Sequence, residues 1–226
     1  MSSTWHSWRT EIMAVFQKEW KSESRSLSGI TTTALLCFVS VVIANTITWT
    51  TSINAVLGAG IYWMILVFTA SVSLPRIFLQ EEDDRTADFW RLNARPEAVY
   101  WGKSIFNIIQ MLIATTLMTI AFVIMVKVKV ENPLLLFISS FGGAVSIGST
   151  VTLAGAIAAG GSNRYALAAA LSVPLFLFLI NLGVTTTAVA FGENFPDKEK
   201  WAIIMIAYSV AASTIGPVVY SKIWKG

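Results

Sequence analysis

Six apolar runs of about 20 residues, none interrupted by a charged side chain, decide what this chain can become. A hydrocarbon core about 30 Å thick needs about 20 helical residues at roughly 1.5 Å each. The runs fall at 30–49, 53–74, 104–126, 134–159, 165–188 and 201–220. In lipid every backbone donor and acceptor must be satisfied within the chain, so runs of this length are helices. The expected fold class is therefore all-α, a polytopic membrane protein with six transmembrane helices in a single domain, 1–226. Only 13% of residues are charged, against about 25% in ordinary soluble domains. The net charge of +3 would suggest nucleic acid in a soluble protein. Here topology explains it better, and no nucleic-acid partner is expected. Cys37 is the single cysteine and lies within an apolar run, so no disulfide framework exists. Glu11, Glu19 and Glu23 interrupt any signal-peptide core.

An even number of spans leaves both termini on one side. Arg9, Lys18, Lys21 and Arg25 precede the first span. Arg76, Arg85, Arg91, Arg95 and Lys103 lie around the loop between spans two and three, and Arg164, Lys222 and Lys225 fall on the same side. The opposite face holds only Lys127, Lys129, Lys198 and Lys200. Twelve basic residues against four place both termini and the long loop in the cytoplasm.

Ahead of the spans, Trp5, Trp8, Ile12, Phe16 and Trp20 recur at helical spacing with Arg9, Glu11, Lys18 and Glu19 between them. That pattern predicts an amphipathic helix in the membrane interface, followed by a Ser-rich turn at 22–28. Residues 78–103 are the only long polar segment, with four consecutive acids at Glu81, Glu82, Asp83 and Asp84. Asp83 or Asp84 can N-cap a helix over 85–92, and Pro96 suits the first turn of the next one. Tyr100 and Trp101 then sit at the interface while Lys103 snorkels. Phe89 and Trp90 on an exposed loop helix want a cover, lipid or protein. A solvated loop resting on headgroups is the plainer alternative.

Gly102-Lys103-Ser104 resembles the end of a phosphate-binding loop, but Glu97 stands where a glycine is required and no strand precedes it. The chain is therefore expected to bind no ATP itself. Span four places Ser140, Ala144, Gly148, Thr152, Ala156 and Gly160 at every fourth position, widened by Gly142, Gly143 and Gly155. Such a stripe admits a close helix neighbour, within the subunit, at a dimer seam or along a sliding surface. Asn45, Asn107, Gln110 and Asn181 can bond between helices, and Pro174 and Pro217 can break spans five and six. His6 is the only histidine, and no buried acid or Ser/His/Asp set offers catalysis or a metal site. An enzyme is not expected.

The six-span layout after an amphipathic helix resembles permeases of the ABC-2 exporter type, and among them the cytochrome c maturation protein B family of haem exporter permeases. The resemblance rests on Lys18-Glu19, Glu81, Arg91-Leu92, Ala94, Pro96, Gly102-Lys103 and Phe106-Asn107, with the glycine-rich span four and the Arg164 turn. Relatives often have Gly where Arg85 stands, which leaves the turn geometry there open. The resemblance implies an inner-membrane protein, bacterial or organellar, acting as a homodimer with two copies of a separate ABC ATPase. It implies that the loop after span two docks on that ATPase through Glu81, Glu82, Asp83, Asp84, Arg85, Asp88, Phe89, Trp90, Arg91 and Arg95. No cofactor is expected on this chain alone; ATP and Mg would sit on the ATPase, and haem would be handled by the complex with a haem-handling membrane protein. The alternatives are an ABC-2 exporter for a drug, lipid or polysaccharide, and a non-transporting membrane scaffold.

Overall fold

The computed structural model describes residues 2–26, 28–49, 53–73 and 76–224, with side-chain detail beginning at Trp8. Among the described residues there are nine helices: α1 (Ser2–Ser26), α2 (Ser28–Thr48), α3 (Ala55–Ser73), α4 (Arg76–Asp83), α5 (Ala87–Asn93), α6 (Pro96–Val126), α7 (Pro133–Ala158), α8 (Arg164–Ala190) and α9 (Lys198–Ile223). Six of them are long and apolar enough to cross a membrane.

Helix α7 is the axis. Two thirds (67%) of its apolar window is buried, against 22–44% in the other five spans. It packs on α8, α9, α6, α4 and α3. Its small residues are the reason. A Cβ at Gly148 would lie 3.0 Å from the Ile108 backbone of α6, and one at Gly143 would lie 2.6 Å from the Trp63 ring of α3. The stripe predicted along span four is thus used inside the chain. Ala144, Gly148, Thr152 and Ala156 are buried, Ser140 bonds Tyr62, and Gly160 is exposed beyond the helix end. Most of the stripe is thus buried against neighbouring helices of the same chain, the packing role among the three expected of it.

Hydroxyl groups fasten the bundle where the stripe lets helices approach. Trp63 Nε1 donates to Thr187 Oγ1 at 2.8 Å, Asn107 Nδ2 donates to Thr152 Oγ1 at 2.8 Å, and Ser146 Oγ donates to Ser209 Oγ at 3.0 Å. Interhelical bonds of this kind contribute about 0.6 kcal/mol each on average in a membrane. Asn107 therefore acts as the predicted glue, whereas Asn181 is exposed. Helices α8 and α9 continue through Pro174 and Pro217.

Two boundaries differ from the sequence reading. Helix α1 continues to Ser26, through much of the predicted Ser-rich turn. The helix of the third span starts at Pro96, as its place in the sequence predicts, and runs unbroken into the apolar run, so the span-forming helix extends two turns ahead of 104. Tyr100 is consequently buried, its ring centroid 6.3 Å from Phe78 and 5.6 Å from Tyr220, rather than at the interface. The hairpin turn at 50–52 and the side chains of Trp5 and His6 lie outside the described residues.

Candidate functional site: the α4–α5 hairpin and a buried ionic knot

Two charges sit on stripes that are otherwise apolar. Glu19 lies one turn beyond Val15 on α1, and Lys103 lies between Val99 and Phe106 on α6. Both stripes face each other, because Gly102 has no side chain: a Cβ there would be 2.6 Å from Val15 Cβ. Helix α1 is thereby pressed onto α6 instead of lying only on lipid. Phe16 and Trp20 stack beside it with ring centroids 6.0 Å apart, and Trp20 meets Phe106 edge-on at 6.4 Å. A charge on such a face survives only with a buried partner.

The partner comes from α4, where Glu81 turns inward, one turn beyond Phe78. Lys103 Nζ, fully buried, donates to Glu19 Oε1 at 2.8 Å and to the Ile77 carbonyl at 3.2 Å, and pairs with Glu81 Oε2 at 2.9 Å. All three ammonium protons have an acceptor. The Phe78 ring lies beneath the same ammonium, 4.8 Å to its centroid. Lys18 Nζ closes the knot, 2.5 Å from Glu81 Oε1 and 3.1 Å from Glu19 Oε1. Trp90 Nε1 of α5 donates to Glu81 Oε1 at 3.1 Å. Two ammonium groups and two carboxylates leave the knot neutral, and it joins α1, α4, α5 and α6. Burial alone would lower the Lys18 ammonium, but Glu19 and Glu81 outweigh it and raise it above its ordinary value.

The rest of the hairpin is tied in turn. Arg91 pairs with Glu82 and, at 2.8 Å, with Asp88. Asp83 Oδ1 accepts from Arg164 Nη1 at 3.0 Å and Asp83 Oδ2 from Tyr165 Oη at 2.9 Å, reaching the start of α8. Arg95 meets Glu11 of α1, its backbone N–H 3.3 Å and its Nε 3.8 Å from the carboxylate. Asp84, Arg85, Asp88, Phe89 and Leu92 are exposed. Leu92 stands out at 85%.

Several expectations are corrected by this geometry. Neither Asp83 nor Asp84 caps the loop helix; α5 starts at Ala87 after Thr86, since Arg85 turns the chain at φ 56° in the left-handed region. Glu81 points into the protein and presents no contact surface, and Trp90 is half-buried against it. Lys103 does not snorkel: with two carboxylates in reach, its ammonium is satisfied without headgroup water. Sequence reasoning missed Lys18, Glu19 and Lys103 as a unit. The signal was present, because each of Glu19 and Lys103 breaks an apolar helical stripe.

A family model described as CcmB protein matches residues 10–223 of the 226. No curated protein matches the chain. The match takes in α2–α9 and most of α1, including every residue of the knot and of the hairpin. The chain therefore belongs to the CcmB family and is a multi-pass inner-membrane permease component of haem export in cytochrome c maturation.

Proposed function

We propose that the α4–α5 hairpin is the surface on which a separate ABC ATPase acts, and that the buried knot carries the resulting displacement into the membrane. The observation that supports this most strongly is Glu81, held at once by Lys18 of α1, Lys103 of α6 and Trp90 of α5. A hairpin fastened in this way cannot shift without moving α1 and α6. Asp83 extends the same link to α8 through Arg164 and Tyr165. The exposed Phe89 and Leu92 supply apolar contact to the partner, ringed by Asp84, Arg85 and Asp88. Aromatic and aliphatic anchors inside a charged rim suit a protein interface.

In this reading the hairpin and both termini face the cytoplasm, in keeping with the excess of Lys and Arg on that side. Two copies of the chain work with two ATPase subunits beside a haem-handling membrane protein. ATP and Mg are held by the ATPase; haem is the cargo handled by the assembly. ATP-driven closure pulls on α4 and α5, α6 and α1 tilt as one body, and α7 adjusts along its small-residue packing. Because Glu81 lies inside, its reversal tests the integrity of the knot rather than docking. The docking test is Phe89→Asp with Leu92→Asp: co-purification of the ATPase should fall about tenfold or more while the melting temperature in detergent stays unchanged. Undiminished co-purification would contradict the docking assignment.

A further inference from the structure

A hollow of about 520 Å³ lies where the α4–α5 hairpin meets the last turns of α7 and α9. That volume lies in the range of about 300–1,000 Å³ typical of ligand sites. We propose that it is a socket for a basic side chain, arginine in preference to lysine, carried by the protein that docks on the hairpin. The socket presupposes docking of the ABC ATPase there and adds the chemistry of the contact.

The wall is built for positive charge. Helix α7 ends at Ala158 and α9 at Ile223, and Ala159, Gly160 and Trp224, which follow those ends, line the hollow. Two helix C-termini therefore bring their partial negative charge to it. Glu82 adds a full charge: Arg91 engages its Oε1, while its Oε2 has no partner among the described residues. Arg91 itself is half-exposed and is held at the rim by Asp88 at 2.8 Å. The charge of Glu81 behind is already balanced within the knot. Tyr220 is only 8% exposed, yet its hydroxyl, on the wall of the hollow, has no hydrogen-bond partner among the described residues. A buried hydroxyl in that state is a vacant place for a polar guest.

The remaining wall decides which cation. Phe78, Trp90, Tyr220 and Trp224 supply aromatic rings, with Tyr220 centred 5.3 Å from Phe78 and 5.4 Å from Trp224. Rings beside a carboxylate recognise organic cations, and a planar guanidinium stacks on them better than an ammonium. A metal ion is not suited, because no three His, Cys, Asp or Glu side chains gather among the described residues. The guest belongs to a protein because α5 lines the hollow with Trp90 and Arg91 and exposes Phe89 and Leu92 beside them. The socket thus adjoins the proposed docking surface, within a long side chain's reach of a partner seated there.

Photo-crosslinking of the full chain in native membranes, from inside the hollow and from outside it, tests this. A photoreactive residue at Ile223, exposed on the wall, should capture the ATPase subunit at a peptide bearing Arg or Lys. Gly160→Arg offers a guanidinium from the wall itself, where a Cβ would meet nothing within 4 Å. It should reduce the Ile223 product several-fold, as should Tyr220→Phe, which removes only the hydroxyl; Gly160→Ala should not. All three variants should melt at the wild-type temperature and keep the product formed from Leu92. A Leu92 product without an Ile223 product overturns the socket and leaves the docking surface standing. So does an Ile223 product that neither variant diminishes, or one formed on a partner segment without a basic residue. No ATPase product from either position overturns both.

Discussion

Lys103 is the residue whose loss should be felt most. Replacing it by Met leaves Glu19 and Glu81 buried with only Lys18 to offset them. Breaking one side of a buried ion network costs about 3–5 kcal/mol, whereas removing charges in balance is much milder. Lys103→Met should therefore lower the melting temperature in detergent clearly, and Lys103→Met with Glu81→Gln should recover part of the loss. Lys18 adds a pH signature. Its ammonium is raised in the folded state, so its stabilising contribution is complete below the ordinary value of 10.5 and is lost as pH climbs through the folded value. An alkaline melt series should show that loss in the wild type and not in Lys18→Met. Arg85, at φ 56°, should prefer glycine: Arg85→Gly should stabilise the hairpin by about 1 kcal/mol. These residues also mark what the sequence could tell. The acidic run at 81–84 was visible, but its members diverge in space, Glu81 inward and Asp84 outward. Helical phase decides that split, and four consecutive acids do not reveal which one a neighbouring helix will claim.

At the scale of elements, the six spans were legible because lipid tolerates few alternatives to a long apolar helix. Their ends were less so. Pro96 announced a helix start, yet Lys103 and Glu97 made the same stretch look like loop. Buried pairing converted a polar segment into the first turns of α6. The α1 helix was readable from its Trp spacing, while its dock on α6 depends on Gly102, whose meaning needs the opposing Val15. A side chain at 102 should push α1 away and loosen the knot. Gly102→Val is expected to destabilise by roughly 1–3 kcal/mol, as overpacking does. Val15→Gly should restore part of it, because the atoms nearest the new Cβ belong to Val15. Proteolytic release of α1 measured against the wild type would report both changes.

In the whole molecule one buried knot joins the α4–α5 hairpin to α1 and α6, with α7 as the packed axis behind them. Family membership supplies the setting of haem export in cytochrome c maturation. Under the proposed function the knot transmits force, and the exposed tip of α5 is where that force should enter. A photo-crosslinking residue at Leu92, introduced in native membranes, tests this most directly. The account predicts a covalent product with an ABC ATPase subunit, strengthened or weakened by ATP. Crosslinking only to lipid, with the ATPase present and assembled, would contradict it.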